Sequence, residues 1–260
     1  MDTFVSLEVD DDTRVGTVRL DRPPMNALSL EMWEQLDAAV AAAIDDERVR
    51  ALLVWGGPKV FAAGADITEF PELTPADARR YSEVLQRTLD RLARAPMVTI
   101  AVVHGYALGG GCEVALACDL RLAADNAKLG LPEVLLGLLP GAGGTQRLPR
   151  LIGLSRAKEL VLSGRMVDMV EGERIGLVDR VVAADDLLEA AQEMATRFAA
   201  GAASIALAKR AIEDGTEQSL DQGLRLESEL FAAAFATEDA ATGIASFLEH
   251  GPGQATFDGR

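Results

Sequence analysis

Short apolar runs rich in β-branched residues alternate along this chain with longer segments whose apolar residues recur every three or four positions. Val15-Gly-Thr-Val-Arg-Leu20, Ala51-Leu-Leu-Val-Trp55 and Val98-Thr-Ile-Ala-Val-Val103 read as strands. The last two are almost wholly apolar, the pattern of strands covered on both faces. Each runs into a loop carrying Gly, Pro or Asn, at 22–26, 56–58 and 104–105. Helical patterns follow. Ser29 is placed to cap a helix with Trp33, Leu36, Val40 and Ile44 on one stripe. Thr74-Pro-Ala-Asp77 puts a cap, a proline in the first turn and an acid three residues on, predicting a helix that reaches Arg94 before Pro96.

From about Leu151 the pattern is almost continuous helix, interrupted by glycines at 153, 164, 176, 201, 215 and 223, with 178–182 as one late strand. The expected organisation is an α/β body to about residue 200 followed by a helical part. Within that part, the stretch 217–235 presents two apolar faces: Leu220, Leu224, Phe231 and Phe235 on one, Leu226 and Leu230 on nearly the opposite side. Both must be buried, in the chain's own core or against a neighbour. Glu227, inside the first stripe, calls for a polar partner or a place at an interface edge.

The 41 acidic residues against 25 basic ones give a net charge of −16, which excludes a general nucleic-acid surface but not a local basic patch for an anionic ligand. The first residues lack a basic, then apolar, leader pattern, and charges or Pro-Gly pairs interrupt every long apolar run, so a soluble protein without an export signal is expected. Cys112 and Cys118 are too few for a disulfide framework, and with His104 and His250 they form no recognisable metal site. They read as reduced thiols of a cytoplasmic protein.

Chemistry concentrates in Gly105-Tyr-Ala-Leu-Gly-Gly-Gly-Cys-Glu113 and in Leu131-Pro-Glu133. Three consecutive glycines admit a substrate close to the main chain. A helix starting there would offer unpaired N–H groups to a carbonyl oxygen that gains charge during reaction. Two carboxylates beside such a site suit proton transfer at carbons next to a polarised carbonyl. The plainer reading makes Glu113 a first-turn helix acid and Glu133 a surface acid. Competing motifs are missing: Gly141-Ala-Gly-Gly144 lacks the lysine of a phosphate loop, no Gly-x-Gly-x-x-Gly follows a strand, and no Gly-x-Ser-x-Gly occurs.

Together with Phe61-Ala-Ala-Gly-Ala-Asp-Ile67 and the long run from Leu131 to Arg147, the 105–113 segment closely resembles the enoyl-CoA hydratase (crotonase) family, with similarity from Asp21 to Asp239. The resemblance implies a crotonase-like α/β spiral of ββα units over residues 1–200 holding an acyl-CoA site. It also implies a C-terminal helical oligomerisation region over 201–260, giving a trimer or dimer of trimers. The expected substrate is an acyl-CoA thioester, its carbonyl oxygen held by the backbone N–H groups of Ala65 and Gly110. Glu113 is expected to activate water and Glu133 to supply the C2 proton, converting a trans-2-enoyl-CoA to the 3-hydroxyacyl-CoA. Ala63, Asp66, Ile67, Thr68 and Gly141 are expected to contact substrate. No metal or redox cofactor is implied, coenzyme A being part of the substrate.

Two positions depart from the family pattern. Thr68 stands where many members carry Lys, and the tail after His250 has no Lys, so Arg22 or Lys59 become candidates for holding the CoA phosphates. The pocket wall is expected near 70–81 and 135–139. Alternatives within the same fold are an acyl-CoA isomerase, decarboxylase or lyase; a non-catalytic acyl-CoA-binding protein is a more distant one.

Overall fold

A computed structural model describes residues 2–260. The chain opens with an antiparallel hairpin of β1 (Val5–Asp10) and β2 (Val15–Leu20), an element the sequence pattern revealed only in its second strand. Then comes α1 (Leu30–Asp45). Ser29 caps it by accepting from the Met32 N–H, and Met32, Trp33, Leu36, Ala39, Val40 and Ala43 form its buried stripe. After β3 (Ala51–Trp55), α2 (Pro75–Ala93) begins with a reciprocal capping box between Thr74 and Asp77 and ends one residue short of Arg94.

The next elements are β4 (Val98–Val103), β5 (Tyr106–Leu108), α3 (Gly110–Ala117), β6 (Leu120–Ala124), β7 (Lys128–Gly130), a 3₁₀ turn at Pro132–Leu136 and α4 (Gly144–Ile152). They are followed by α5 (Leu154–Ser163), β8 (Val167–Asp168), α6 (Met169–Ile175), β9 (Arg180–Val182), α7 (Leu187–Ala199), α8 (Ser204–Thr216), α9 (Leu220–Ala234) and α10 (Glu238–His250).

Two sheets share these strands. The larger runs β1-β2-β3-β4-β6-β9 and is parallel after its first pair. The smaller runs β5-β7-β8. Sequence order explains the architecture: β4 then β5 then α3, and β6 then β7 then α4, each give one strand to the large sheet, one to the small sheet and then a helix, α3 being buried along its whole length. After β3 the equivalent second strand shrinks to a single bridge between Ala62 and Ala107. The result is a spiral of ββα units. All six residues of β4 are buried, as their apolar run predicts. Each fully buried aliphatic side chain there, such as Ile100, contributes about 1.5–3 kcal/mol relative to exposure.

The helical part corrects two expectations. Gly215 and Gly223 flank a helix break rather than form it: they lie in the last turn of α8 and the first turn of α9 and let the two cross closely, a Cβ on Gly223 falling 3.1 Å from the Gly215 carbonyl oxygen. The break falls between them, where Ser219 and Gln222 form a capping box. The late strand is also shorter than expected, because Leu177 and Val178 are buried in the turn leaving α6.

On α9, Leu230 is buried and Leu226 half-buried, whereas Leu220, Leu224, Phe231 and Phe235 remain exposed, as does Glu227. Ile244, Phe247 and Leu248 extend this apolar exposure along α10. Among the described residues no helix is long and apolar enough to cross a membrane, and no cluster of His, Cys, Asp and Glu could hold a metal. Both cysteines are free and buried.

Candidate active site

Two backbone arms meet at the end of β4. One is 60–66, the other 104–110, and hydrogen bonds of sheet type lace them together. Phe61 N donates to His104 O (2.8 Å), Ala62 N to Tyr106 O (3.0 Å) and Leu108 N to Ala62 O (3.0 Å). On its other side the first arm pairs with the segment before α1: Ala63 N donates to Met25 O (3.0 Å), Leu28 N to Gly64 O (2.8 Å) and Asp66 N to Leu28 O (3.0 Å). These pairings use the N–H groups of Ala63 and Asp66 and leave that of Ala65. Gly110 is the first residue of α3, so its N–H has no partner within the helix. Among the described residues neither the Ala65 nor the Gly110 N–H donates to a protein acceptor.

The arms approach so closely because Gly111 has no side chain. A Cβ there would stand 2.8 Å from both the carbonyl carbon and the Cβ of Ala62 and would strike the Ala62 oxygen. Behind Gly110 lie the Trp33 ring and Leu28, both fully buried.

Glu113 is one turn into α3, a helix buried along its whole length, and only 2% exposed. Its Oε1 accepts two backbone bonds at 2.8 Å, from Ala142 N and Gly144 N at the start of α4, leaving Oε2 for other work. Burial pushes its carboxyl above the usual range, while the two amides and the positive charge of Arg147 pull against that push. Glu133 comes from the 3₁₀ turn after β7, and its Oε1 faces Gly109, 3.1 Å from where a Cβ on that glycine would sit. Its Oε2 is buried without a partner. Burial, with a smaller contribution from the charge of Glu113, pushes Glu133 up to about 7. The reading of Glu133 as a surface acid therefore fails. Cys112, packed beside both carboxylates, has its thiol pushed far above its usual range, chiefly by burial. It is an inert filler.

Of the other residues singled out from the sequence, Asp66 caps the 3₁₀ turn Ile67–Glu69 by accepting from the Thr68 N–H, and it also accepts from Thr68 Oγ1 (2.6 Å). Asp66 holds Arg22 at 2.7 Å, and Arg22 also donates to Ala27 O. Arg22 is thus a tie between the first arm and the segment before α1; Lys59 stands exposed after β3. Ile67 and Thr68 are exposed, and Ala63 is half-buried. The Gly141 carbonyl is tied to α2 by Ser82 Oγ (2.6 Å) and Gln86 Nε2 (3.0 Å).

Phe70 and Tyr81 pack edge to face with centroids 5.8 Å apart, while Leu135, Leu136, Leu138 and Leu139 are exposed. The residues missed from the sequence are those of the turn before α4. The N–H groups of Ala142 and Gly144 hold Glu113; the signal available in the sequence was a glycine-rich turn leading into a helix, which leaves N–H donors unpaired.

A cavity of about 710 Å³ lies behind this constellation, between α2, α4 and α8, and touches neither glutamate; Arg147, Lys209, Glu213 and Glu217 are among its walls.

Residues 10–259 match the family described as enoyl-CoA hydratase/isomerase. A probable enoyl-CoA hydratase, echA8, of Mycobacterium tuberculosis is 47% identical over 95% of this chain and 96% of its own length. A crotonyl-CoA hydratase of Syntrophomonas wolfei is 38% identical over 95% of this chain and 96% of its own. The crystal structure of an enoyl-CoA hydratase from Bacillus anthracis superposes with a TM-score of 0.89 at 37% identity, covering 95% of this chain and 96% of that one. With the match spanning nearly the whole sequence and the fold reproduced, the chain belongs to the enoyl-CoA hydratase/isomerase family.

Proposed function

We propose that this protein is an enoyl-CoA hydratase that adds water reversibly across the double bond of a trans-2-enoyl-CoA to give the 3-hydroxyacyl-CoA. The observation that carries this reading is a pair of glutamates with unlike environments beside two unspent N–H donors. Burial raises both carboxyls, but Glu113 is anchored by two amides and acted on by the Arg147 charge, which favour its carboxylate, whereas Glu133 has an unpartnered oxygen and is pushed up to about 7. Two acids whose surroundings separate their proton affinities divide naturally into a base and an acid.

In this reading the thioester oxygen accepts from Ala65 N and Gly110 N, which stabilise the enolate-like charge that develops during reaction. Losing one such donor typically costs about 3 kcal/mol of transition-state stabilisation. Oε2 of Glu113 takes a proton from water as the hydroxyl bonds to C3. Glu133 delivers its proton to C2, and the C2–C3 double bond becomes single. The pair ends with its one proton moved from Glu133 to Glu113, and exchange with solvent restores it. The thioester and the N–H pair supply the activation, so no metal or redox group takes part. Ala63, Ile67, Thr68 and Gly141 line the approach, and Asp66 shapes it through its tie to Arg22.

The names of the relatives support an acyl-CoA substrate, since one is a crotonyl-CoA hydratase. We assign residues 1–200 to the catalytic spiral and 201–260 to assembly of a trimer or dimer of trimers in the cytoplasm, because the exposed stripes of α9 and α10 need cover. The deciding experiment follows the enoyl-thioester absorbance of crotonyl-CoA. Its loss, with 3-hydroxybutyryl-CoA formed in equal amount, is expected; an unchanged spectrum at high enzyme concentration rejects the assignment.

A further inference from the structure

Arg147 sits one turn into α4 with its side chain folded back toward the start of the helix, where Nη1 donates to the Ala142 carbonyl at 3.1 Å. The guanidinium lies directly against Gly143, its central carbon 3.4 Å from where a Cβ would be built, and Gly143 has φ of +110°. Any side chain there would drive the guanidinium away. The residues flanking Gly143 are Ala142 and Gly144, whose N–H groups both bind Glu113 Oε1 at 2.8 Å. One face of the turn thus grips the glutamate, and the other face is gripped by Arg147.

We propose that Arg147 is a positioning residue for the reaction: its guanidinium clamps the 140–144 turn so that Ala142 and Gly144 fix Oε1 of Glu113 and leave Oε2 to meet the water. The reaction named in this statement rests on the hydratase reading; the clamp itself does not. A second observation agrees with it. The half-buried positive charge of Arg147 acts on Glu113 and favours its ionised form, which a base requires. The acids acting on Arg147 are Asp90 from α2, Glu113 from α3, Glu213 from α8 and Glu217 just beyond α8; the cations Arg94, Arg150 and Lys209 share its cavity with Asp119 and Asp214, and Glu113 is in turn faced by Glu133. The outer side of Arg147 opens on the cavity behind the site, lined by Asp90, Glu213 and Glu217, so the clamp also joins the helical region to the catalytic base.

Three substitutions separate its parts. Arg147→Met keeps the bulk but loses donor and charge, Arg147→Gln keeps a donor without charge, and Arg147→Lys keeps charge without the planar fork. Each variant and the unmodified protein are assayed with crotonyl-CoA across pH, and amide exchange of the 140–144 segment is followed by mass spectrometry. For Arg147→Met, kcat is expected to fall roughly 10- to 100-fold, the scale of a small misplacement of a reacting group, with KM within about twofold. The acidic limb of kcat/KM should move to higher pH in the Met and Gln variants and stay in place in the Lys variant. Segment 140–144 should exchange faster in the Met variant than in the Gln variant. If Arg147→Met does not fold, the Gln and Lys pair decides through the limb alone. Unmoved limbs together with unchanged exchange overturn the proposal, even if activity drops. Absence of turnover in the unmodified protein would reject the hydratase reading and leave the exchange comparison to judge the clamp.

Discussion

Gly111→Ala tests whether the closeness of the two arms is what makes the site. An alanine Cβ at this position stands 2.8 Å from the carbonyl carbon and the Cβ of Ala62. Carbon atoms rest at about 3.5–4.0 Å, so the arms must part by roughly 1 Å. The obstacle is backbone on one side and the first turn of a helix on the other, and neither can rotate out of the way. The displacement reaches the chemistry directly, since Gly110 precedes the substitution, Glu113 follows it by two residues, and Ala65 lies three residues beyond Ala62. A misplacement of about 1 Å can cost roughly 10²-fold in rate, and overpacking of this kind costs about 1–3 kcal/mol of stability.

Gly110→Ala is the control. There the added Cβ meets only the ends of the Trp33 and Leu28 side chains, at 3.2 and 3.3 Å. Both positions lie in the first turn of α3, so the difference in melting temperature reports how much the backbone contact with Ala62 exceeds the side-chain contacts with Trp33 and Leu28. The assay is crotonyl-CoA hydration beside thermal unfolding of both variants. A Gly111→Ala protein as stable as the Gly110→Ala one, with unreduced kcat, would refute the reasoning.

Replacing either catalytic glutamate by glutamine should lower kcat at least about 10²-fold, the usual contribution of proton transfer, with folding preserved; at position 113 the amide oxygen can still accept from Ala142 and Gly144, and circular dichroism with crotonyl-CoA kinetics checks both halves. Hydration should weaken as pH rises past about 7, where Glu133 loses the proton destined for C2. The same group sets a stability trend: its folded value is raised above the ordinary 4.5, so its contribution is complete below 4.5 and is lost as pH rises through about 7. Denaturant unfolding should show that loss, and Glu133→Gln should flatten it. Light scattering at micromolar concentration should show a trimer or hexamer, and a stable, active 27.6 kDa monomer would remove the assembly claim.

What could be read in the sequence was what local physics dictates. The wholly apolar runs became β3 and β4, Ser29 and Thr74 capped the helices they promised, and the glycine triplet did open a helix. Strands of two or three residues, such as β5, β7 and β8, are too short to display a period and exist only because a neighbouring strand pairs with them. The misread glycines of α8 and α9 have the same origin: a glycine that lets two helices touch looks, in one dimension, like one that ends a helix. At the site, residue types announced the two carboxylates. The grip of Ala142 and Gly144 on Glu113 did not show, because it is made of backbone groups brought to the glutamate across 29 and 31 positions.

The arms that carry the two N–H donors are held by bonds of the same kind as those in the sheets, linking 61–62 to 104–108 and 63–66 to 25–28. Bonding of this kind ties the donor-bearing arms to the scaffold, so the arms are not expected to open as a local unfolding unit of their own. Loss of activity and loss of secondary structure in urea should therefore trace one curve, where an enzyme with a mobile lid would fail first at its lid. The same economy limits variation: a lineage could reshape the exposed Leu136, Leu138 and Leu139 at a cost to substrate fit alone, but each change to the arms would be judged by whether the whole molecule still folds.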